Sequence, residues 1–591
     1  MWHFQRDSVR LHSIVKFLAV LALFLFFFIS FLQIHVYNYD FWWHLATGKY
    51  IVENKSLPQN DPFSYTSHET FSQRKSIILK GNWLAEVIFY KVYMLLDLKG
   101  IIILRSLLLL LFLFFVFLSI KKQGASDLVA LILIAGVFIL AKNFPGERPQ
   151  LFTFVVFSSI FYLIEDFRLR RSKKIFFIPV LILVLSNMHP GYIVCIFLIS
   201  LYLSGEGVLY VLKKDFSNEG FRALFIVWIL TIMFALLNPN GLSAFREIFF
   251  IGKHTEGIVE FMPTFYIYTN KFKPIDYSYI IFLIFSLLSV RYFRKIGLVH
   301  MLVLIVFTVM SFVAIRYVIF YMCVAAPILA KIINNLKEER IFKRFLGILK
   351  PREGFLYLIT CIFGIFLIFN SIPALARYEF RADTFFATPK GAADFLENIQ
   401  IKGNMFNEYG FGGYLIWRLY PDKKVFIDGR SLEPDVYDEY RIVASASIEQ
   451  NQSWEDTMRR YNISYIVMPP LMPRGEIYPL VEELLERKDW TLIYNDQLSL
   501  IFLRDNSGNQ YIIDRFAVDK KEGLNTIIIQ ASGRAMKNRT NPYYMVTLGK
   551  VFFKMGKFDD SEKAFLMAYE RDPKNLAIKE WLQKVREMKS N

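Results

Sequence analysis

Asp40 stands where the first long apolar run gives way to a polar segment, HVYNYDFWWHLATGKYIVENKSLPQNDPFSYTS over residues 35–67. A carboxylate at that edge can take the proton of an acceptor hydroxyl as a general base. His44, one helical turn on, can address the same pocket, either hydrogen-bonding the carboxylate or binding a metal. Trp42 and Trp43 are interfacial anchors or substrate-binding platforms. The plainer role for Asp40 is to cap the helix that WWHLATGKYI should form. Asp61, just before a proline, should shape a turn. With Asp40 and with Glu86 of the amphipathic WLAEVIFYKVYMLL segment, it could also hold a divalent cation, Mg or Mn, although the spacing is not diagnostic.

Phosphate chemistry needs cations, and two arginines lie at apolar edges. Arg316 occupies a short turn between two apolar runs, and Arg148 begins another. Charge there is costly unless paired or functional, although arginine can snorkel to headgroups. Arg316 is therefore the first candidate to hold an anionic group of a lipid-borne substrate, which the resemblance given below implies is the donor phosphate, and Arg148 the second. His189 in SNMHPGY and Glu260 in IVEFMP are candidate substrate contacts; Glu260 is otherwise an ordinary solvent-facing acid. Further along, FNEYGFGGYLIWRLYP and KVFIDGR put Gly410, Gly412 and Gly413 where tight or left-handed turns are expected. Asp428 and Arg430 can pair after a KVFID strand and hold the domain against the membrane part. Tyr409, Tyr414 and Trp417 could grip a sugar.

The elements that must position these groups are largely apolar. Of 591 residues, 54% are hydrophobic and 60 are phenylalanine, too apolar for an ordinary soluble enzyme. The run His12–His35 exceeds a signal peptide's apolar region and lacks a small-residue cleavage site, so it is expected to remain as a membrane anchor. Ten more spans are expected near 101–119, 127–141, 150–165, 175–188, 191–212, 223–238, 275–290, 298–313, 317–333 and 355–371. Basic residues then fall on one side: the N-terminus, Lys121 and Lys122, the Arg168–Lys174 stretch, Lys213 and Lys214, Arg291 to Lys295, and 331–352. That side is cytoplasmic by the positive-inside rule. An odd number of spans places Asp40, loops 37–100 and 239–274, and everything after residue 374 outside.

Much of the net charge of +17 is thus topology, and no stacking aromatics interleave with it, which argues against a nucleic-acid partner. Cys195, Cys323 and Cys361 all fall within expected spans and act as small buried hydrophobes. No Walker loop, dinucleotide glycine fingerprint, HExxH helix or GxSxG elbow appears. Beyond the transmembrane domain 1–374, residues 380–506 alternate helix and strand patterns as an exterior α/β domain. Residues 519–591 form a helical tail in which Leu548, Gly549, Phe552, Ser561, Phe565, Ala568 and Pro573 fall at tetratricopeptide positions, with Ser561 where alanine is usual. Such a tail suits a protein partner.

The ordered motifs DFWWHLATGKYIVENKSLPQNDPFSYTS, GNWLAEVIFY, ERPQLFTF, SNMHPGY, LNPNGL, IVEFMP, AIRYVIF and FNEYGFGGYLIWRLYPDKKVFIDGR resemble those of a group of bacterial multispan proteins. That group is similar to the C-type glycosyltransferases, and the resemblance covers residues 35–435. It departs at His189-Pro190-Gly191, where His-Gly-Gly is usual. The resemblance implies a polytopic α-helical membrane protein of C-type glycosyltransferase-like fold, with an exterior α/β domain and tetratricopeptide-like C-terminal helices. It implies an acidic residue at the end of the first span, matched by Asp40, acting toward the acceptor as base or metal-linked carboxylate. The donor would be a polyprenyl-phosphate sugar reached from membrane lipid, the acceptor an envelope glycan, lipid or protein, and the location the bacterial inner membrane. Inversion follows from the single displacement expected of that superfamily. A non-catalytic scaffold for envelope assembly and, less well supported, a transporter are the alternatives of other classes.

Overall fold

In hydrocarbon, backbone groups have only one another to bond, so runs of Leu, Ile and Phe must coil. The computed structural model describes residues 2–67, 73–144, 146–212, 218–248, 259–269, 274–336, 353–376, 388–449, 452–506 and 508–590. Helices stand at each of the eleven expected span positions: Trp2–Leu32, Trp83–Lys122, Asp127–Ala141, Gln150–Arg170, Ile178–Ser186, Tyr192–Val211, Asn218–Ala235, Tyr277–Arg291, Leu298–Val313, Val318–Leu336 and Glu353–Ala376. Among the described residues, five helical stretches are long and apolar enough to cross a membrane, namely Ser13–Leu32, Arg74–Lys122, Gln150–Arg170, Tyr192–Val211 and Ile315–Leu336. Four shorter helices are also apolar. The long helix Trp83–Lys122 breaks at Asp97 (φ 56°, ψ −151°), which separates its amphipathic start from its apolar remainder. Gly100 lets that break close, because a Cβ there would meet Val92 and Leu96 within 2.9 Å.

Two units make up the chain. The first comprises Met1–Val36, Thr47–Gln59 and Phe71–Ala382. Its aliphatic and phenylalanine core encloses charges that must be paired, since a lone ion is expensive in low dielectric. Arg105, fully buried, donates to Glu147 and to the carbonyls of Phe31 (2.9 Å) and His35 (3.3 Å), capping the end of the first helix. Glu165 accepts from Tyr202 at 2.7 Å, Gln123 at 2.6 Å and Arg168 at 3.3 Å, and His300 Nε2 lies 2.9 Å away. Arg168 Nε also donates to Glu206 at 2.6 Å. Arg168, expected as a loop charge, is therefore turned into a helix-tying network.

The second unit comprises Tyr37–Ala46, Asn60–Thr70 and Asp383–Asn591. Its sheet has strands β1 Asn404–Asn407, β2 Ile463–Met468, β3 Trp490–Asn495 and β4 Leu500–Arg504 in the order β1-β2-β4-β3. β1 and β2 are parallel, and the β2/β4 and β3/β4 pairs are antiparallel. Every residue of β2 is buried, as a central strand requires. The helix Trp454–Arg460 starts with a capping box between Ser453 and Asp456, and the hairpin expected from TLIYND and LSLIFLR is present.

One expectation is corrected here. KVFID is not a strand: only Val425 bridges, to Ser64, with Tyr65 N donating to Val425 O at 3.2 Å and Val425 N to Phe63 O at 3.0 Å. Its partner is the distant PFSYT segment. Gly410 lies in a turn, as expected, and Gly412 and Gly413 open the helix Gly412–Leu419, none of the three with left-handed backbone. The helices Lys520–Lys537, Tyr543–Lys554, Phe558–Arg571 and Leu576–Ser590 share one hydrophobic core with the sheet. Thr547 donates to Gly475 O at 2.7 Å, and Lys554 pairs with Glu482 and Glu486. Within the tail, Gly549 lets Phe565 pack against the helix, and Ser561 donates to Gly549 O at 2.8 Å, giving its buried hydroxyl a partner.

Candidate active site

The segment that carries Asp40 is held by small residues. Asp40 begins the helix Asp40–Asn54, and its N–H donates to Asn38 Oδ1 at 2.9 Å, so Asn38 supplies the side-chain cap weighed for Asp40. The half-buried Asp40 carboxylate accepts from Trp43 Nε1 at 3.2 Å, a bond that orients it. A Cβ on Gly429 would stand 2.2 Å from Asp40 Oδ1, and one on Gly413 would stand 2.8 Å from Tyr39 O. One on Gly412 would lie 2.1 Å from Ile427 O. These glycines serve close approach, which is why both the FGG and the DGR motifs carry one. Gly429→Ala should therefore push Asp40 aside and lower the melting temperature, whereas Gly533→Ala, with open space at its Cβ, is the control expected to leave the melt unchanged.

Trp42 and Trp43, weighed as anchors or platforms, pack inside this unit. They are 5% and 7% exposed, and Trp42 lies edge-on to Tyr414 at 4.8 Å, leaving no free face for a sugar. His44 is buried, its ring against that of Trp43. Tyr409 is half-buried, its hydroxyl 3.0 Å from Ser431 Oγ and donating to Gly429 O at 3.2 Å. Trp417 is half-buried in the helix Gly412–Leu419.

Behind Asp40, Arg430 joins two carboxylates. It donates to Asp61 from Nη1 (2.7 Å) and Nη2 (3.2 Å), and to Asp428 from Nε and Nη2, both at 2.7 Å. Ser64 Oγ donates to Asp428 Oδ2 at 3.2 Å. Asp61 also accepts from Phe63 N and Ser64 N, the turn expected of it. The expected Asp428–Arg430 pair is present, and within this unit it fixes the 60–67 segment. Burial works to raise the Asp428 carboxyl, but the Arg430 guanidinium overrides it and holds the group below the usual carboxylate range. Of the residues considered for a cation, Asp61 accepts from Arg430 with both oxygens, and Glu86 is buried within the first unit. Among the described residues no three His, Cys, Asp or Glu side chains are grouped to hold a metal.

Glu408, in the same FNEYGFGG motif, was missed. Its carboxyl accepts from Phe411 N at 3.0 Å and lies 3.4 Å from the Tyr478 hydroxyl. Burial pushes its pKa up from 4.5 to about 7. The folded state thus binds a proton that the unfolded chain has released, and stability falls as pH rises from about 4.5 through 7. At about 1.4 kcal/mol per pKa unit, the loss is roughly 2 to 3 kcal/mol for a half-buried group. Glu408→Gln should flatten that slope in melts taken across this range.

The first unit carries the basic candidates. Arg148 pairs with Glu260, and the Arg316 guanidinium lies 4.3 Å from the centre of the Phe261 ring, within electrostatic reach of both. His189 Nδ1 accepts from Gly191 N at 3.0 Å and lies 2.8 Å from the Thr153 hydroxyl. A backbone N–H can only donate, so the imidazole proton is on Nε2. Burial first, then the charges of Arg316 and Arg148, push the His189 pKa down to about 3, which keeps it a neutral donor. The His-Pro-Gly departure keeps the glycine that this turn needs, because a Cβ on Gly191 would stand 2.4 Å from Thr153 Oγ1. Arg148, His189, Glu260 and Arg316, distant in sequence, thus form one cluster with two guanidinium groups and one carboxylate. Such a cluster can hold an anion.

No family model and no curated protein matches the chain. Among solved structures, the Archaeoglobus fulgidus oligosaccharyltransferase in the apo form is similar at TM-score 0.48 and 10% identity, over 84% of this chain and 74% of that one. The same enzyme tethered to an acceptor peptide containing the NVT sequon gives 0.48 and 11%, over 85% and 75%. The archaeal oligosaccharyltransferase AglB from Archaeoglobus fulgidus, in complex with an inhibitory peptide and a dolichol-phosphate, gives 0.51 and 10%, over 86% and 75%. The chain accordingly has the fold of that last structure, a polytopic helical membrane domain with a mixed α/β domain.

Proposed function

We propose that this protein transfers a sugar from a polyprenyl-phosphate donor to an envelope glycan, lipid or protein acceptor at the exterior face of a bacterial inner membrane. The observation that carries the reading is the half-buried Asp40 carboxylate, oriented by Trp43 and fitted against Gly429 at the head of its helix. The cluster of Arg316, Arg148 and His189 supports it as an anion site, and the AglB-like fold agrees with it. Asp40 takes the acceptor hydroxyl proton while the acceptor oxygen bonds to the anomeric carbon. The anomeric carbon–phosphate oxygen bond breaks, and its electron pair leaves with the polyprenyl phosphate. Within the first unit, Arg316 and the Nε2–H of His189 are the groups whose chemistry suits the charge of a departing phosphate. One displacement inverts the anomeric centre.

In this reading the basic loops keep the N-terminus cytoplasmic across eleven spans, and the second unit is exterior. The tetratricopeptide-like tail, fused to the α/β core, offers its outer helices to a protein partner. Steady-state kinetics with a polyprenyl-phosphate sugar test the anion site. Arg316→Ala should raise the donor KM about ten- to a hundredfold, the worth of one charge-assisted contact, and Arg148→Ala less, because Glu260 already balances it. Equal donor KM in native protein and Arg316→Ala would remove Arg316 from the site.

A further inference from the structure

Exposed aromatic faces beside Asp40 belong to tyrosines, not to the buried tryptophans. Tyr37 and Tyr39 are 46% and 43% exposed. Tyr409 is within electrostatic reach of both Asp40 and Tyr39, and its hydroxyl contacts the Gly429 carbonyl at the place where Asp40 approaches. Tyr437, 37% exposed, stands edge-on to Tyr409 at 5.6 Å. It lies on the helix Pro434–Ala444, which also exposes Asp435 and Asp438. Aromatic faces thus run from the reactive carboxylate to an acidic helix within one unit.

That combination selects a chemistry. A sugar ring presents apolar C–H faces, which pack on aromatic rings, and hydroxyl edges, which donate to carboxylates. An acceptor bearing phosphate or uronate groups would be repelled by Asp40 and Asp435, Asp438 being balanced by Arg441 at 3.6 Å, and so would an anionic lipid surface. An extended peptide would ask for an open sheet edge or a groove of apolar pockets, whereas this face offers rings and acids.

We propose that Tyr39, Tyr409 and Tyr437 form an acceptor subsite for an uncharged or amino sugar, so that the acceptor is a glycan lacking acidic groups. The assignment rests on Asp40 as the general base. Tyr39 and Tyr437 supply stacking faces, Tyr409 braces the Gly429 turn between them, and the helix acids take hydroxyl or ammonium hydrogens.

The test is binding of the purified full-length protein, without donor, to an array of immobilised neutral, amino and acidic glycans, with anionic phosphatidylglycerol vesicles as a second probe. Retention on neutral or amino glycans, weakened about tenfold in Tyr39→Ala and Tyr437→Ala but kept in Tyr39→Phe and Tyr437→Phe, is the expected result. Thermal melts of each variant separate this from loss of fold, and the phenylalanine variants keep the test valid if an alanine variant melts early. Retention only on acidic glycans, no retention on any glycan, or equal retention in the alanine variants would overturn the subsite. Vesicle binding that drops in the alanine variants, with no glycan retained, would reassign the tyrosines to lipid. Glycan retention with no sugar transfer would overturn the transferase reading and leave the subsite standing.

Discussion

Asp40→Asn should lower sugar transfer about a hundred- to ten-thousandfold, the range for removing a positioned general base, while leaving the melting temperature close to native. The second part follows from the geometry. Asparagine keeps the shape of the side chain and an oxygen to accept from Trp43 Nε1, and the cap on this helix comes from Asn38. The change removes only the ability to hold a proton. Single-turnover transfer and a thermal melt on the same preparation check both halves, and the pair matters because a merely structural Asp40 would move the melt first.

Arg430→Met should destabilise the second unit by about 3 to 5 kcal/mol, the cost of stranding a buried charge. Here one substitution strands two carboxylates, Asp61 and Asp428, whose side chains are almost wholly buried. Methionine fills much of the arginine's volume, so the loss measures charge rather than a cavity. Adding Asp61→Asn and Asp428→Asn to Arg430→Met should recover much of it, as when a buried ion set is replaced whole. The pH dependence has a definite sign. The Asp428 carboxyl is held below its ordinary range in the folded state, so the stability it contributes is present at neutral pH and is lost as pH falls through that range. Urea titrations at neutral and acidic pH should show the native advantage over the triple variant shrink on acidification. Transfer should fall with the unfolding of this unit, because Arg430 ties the 60–67 segment to the turn bearing Gly429.

Composition made the membrane helices legible, since long apolar runs have little choice of structure in lipid. The motif around Asp40 was legible as a place for chemistry, and Arg148, His189, Glu260 and Arg316 proved to be one cluster. What stayed hidden depends on contacts between residues hundreds of positions apart. Arg430 and Asp61 are 369 residues apart, and local patterning reveals the Asp61 turn but not that both of its oxygens also accept from Arg430. The burial of Trp42 and Trp43 depends on helix Gly412–Leu419, whose Tyr414 covers Trp42. Gly413 reads as a turn residue and Gly429 draws no attention, because their actual constraint, the arrival of the 39–43 segment, is invisible to neighbours in sequence. Glu408 gave a readable signal, an acid inside an aromatic and glycine-rich motif, which the emphasis on flanking tyrosines obscured.

The most direct test is transfer of labelled sugar from a panel of polyprenyl-phosphate sugars to extracted envelope acceptors by the purified native protein, with Asp40→Asn beside it at matched fold. Labelled product from the native protein and none above background from Asp40→Asn is the predicted result. No product from folded native protein across the donor panel, or equal product from both proteins, would contradict a glycosyltransferase that works through Asp40.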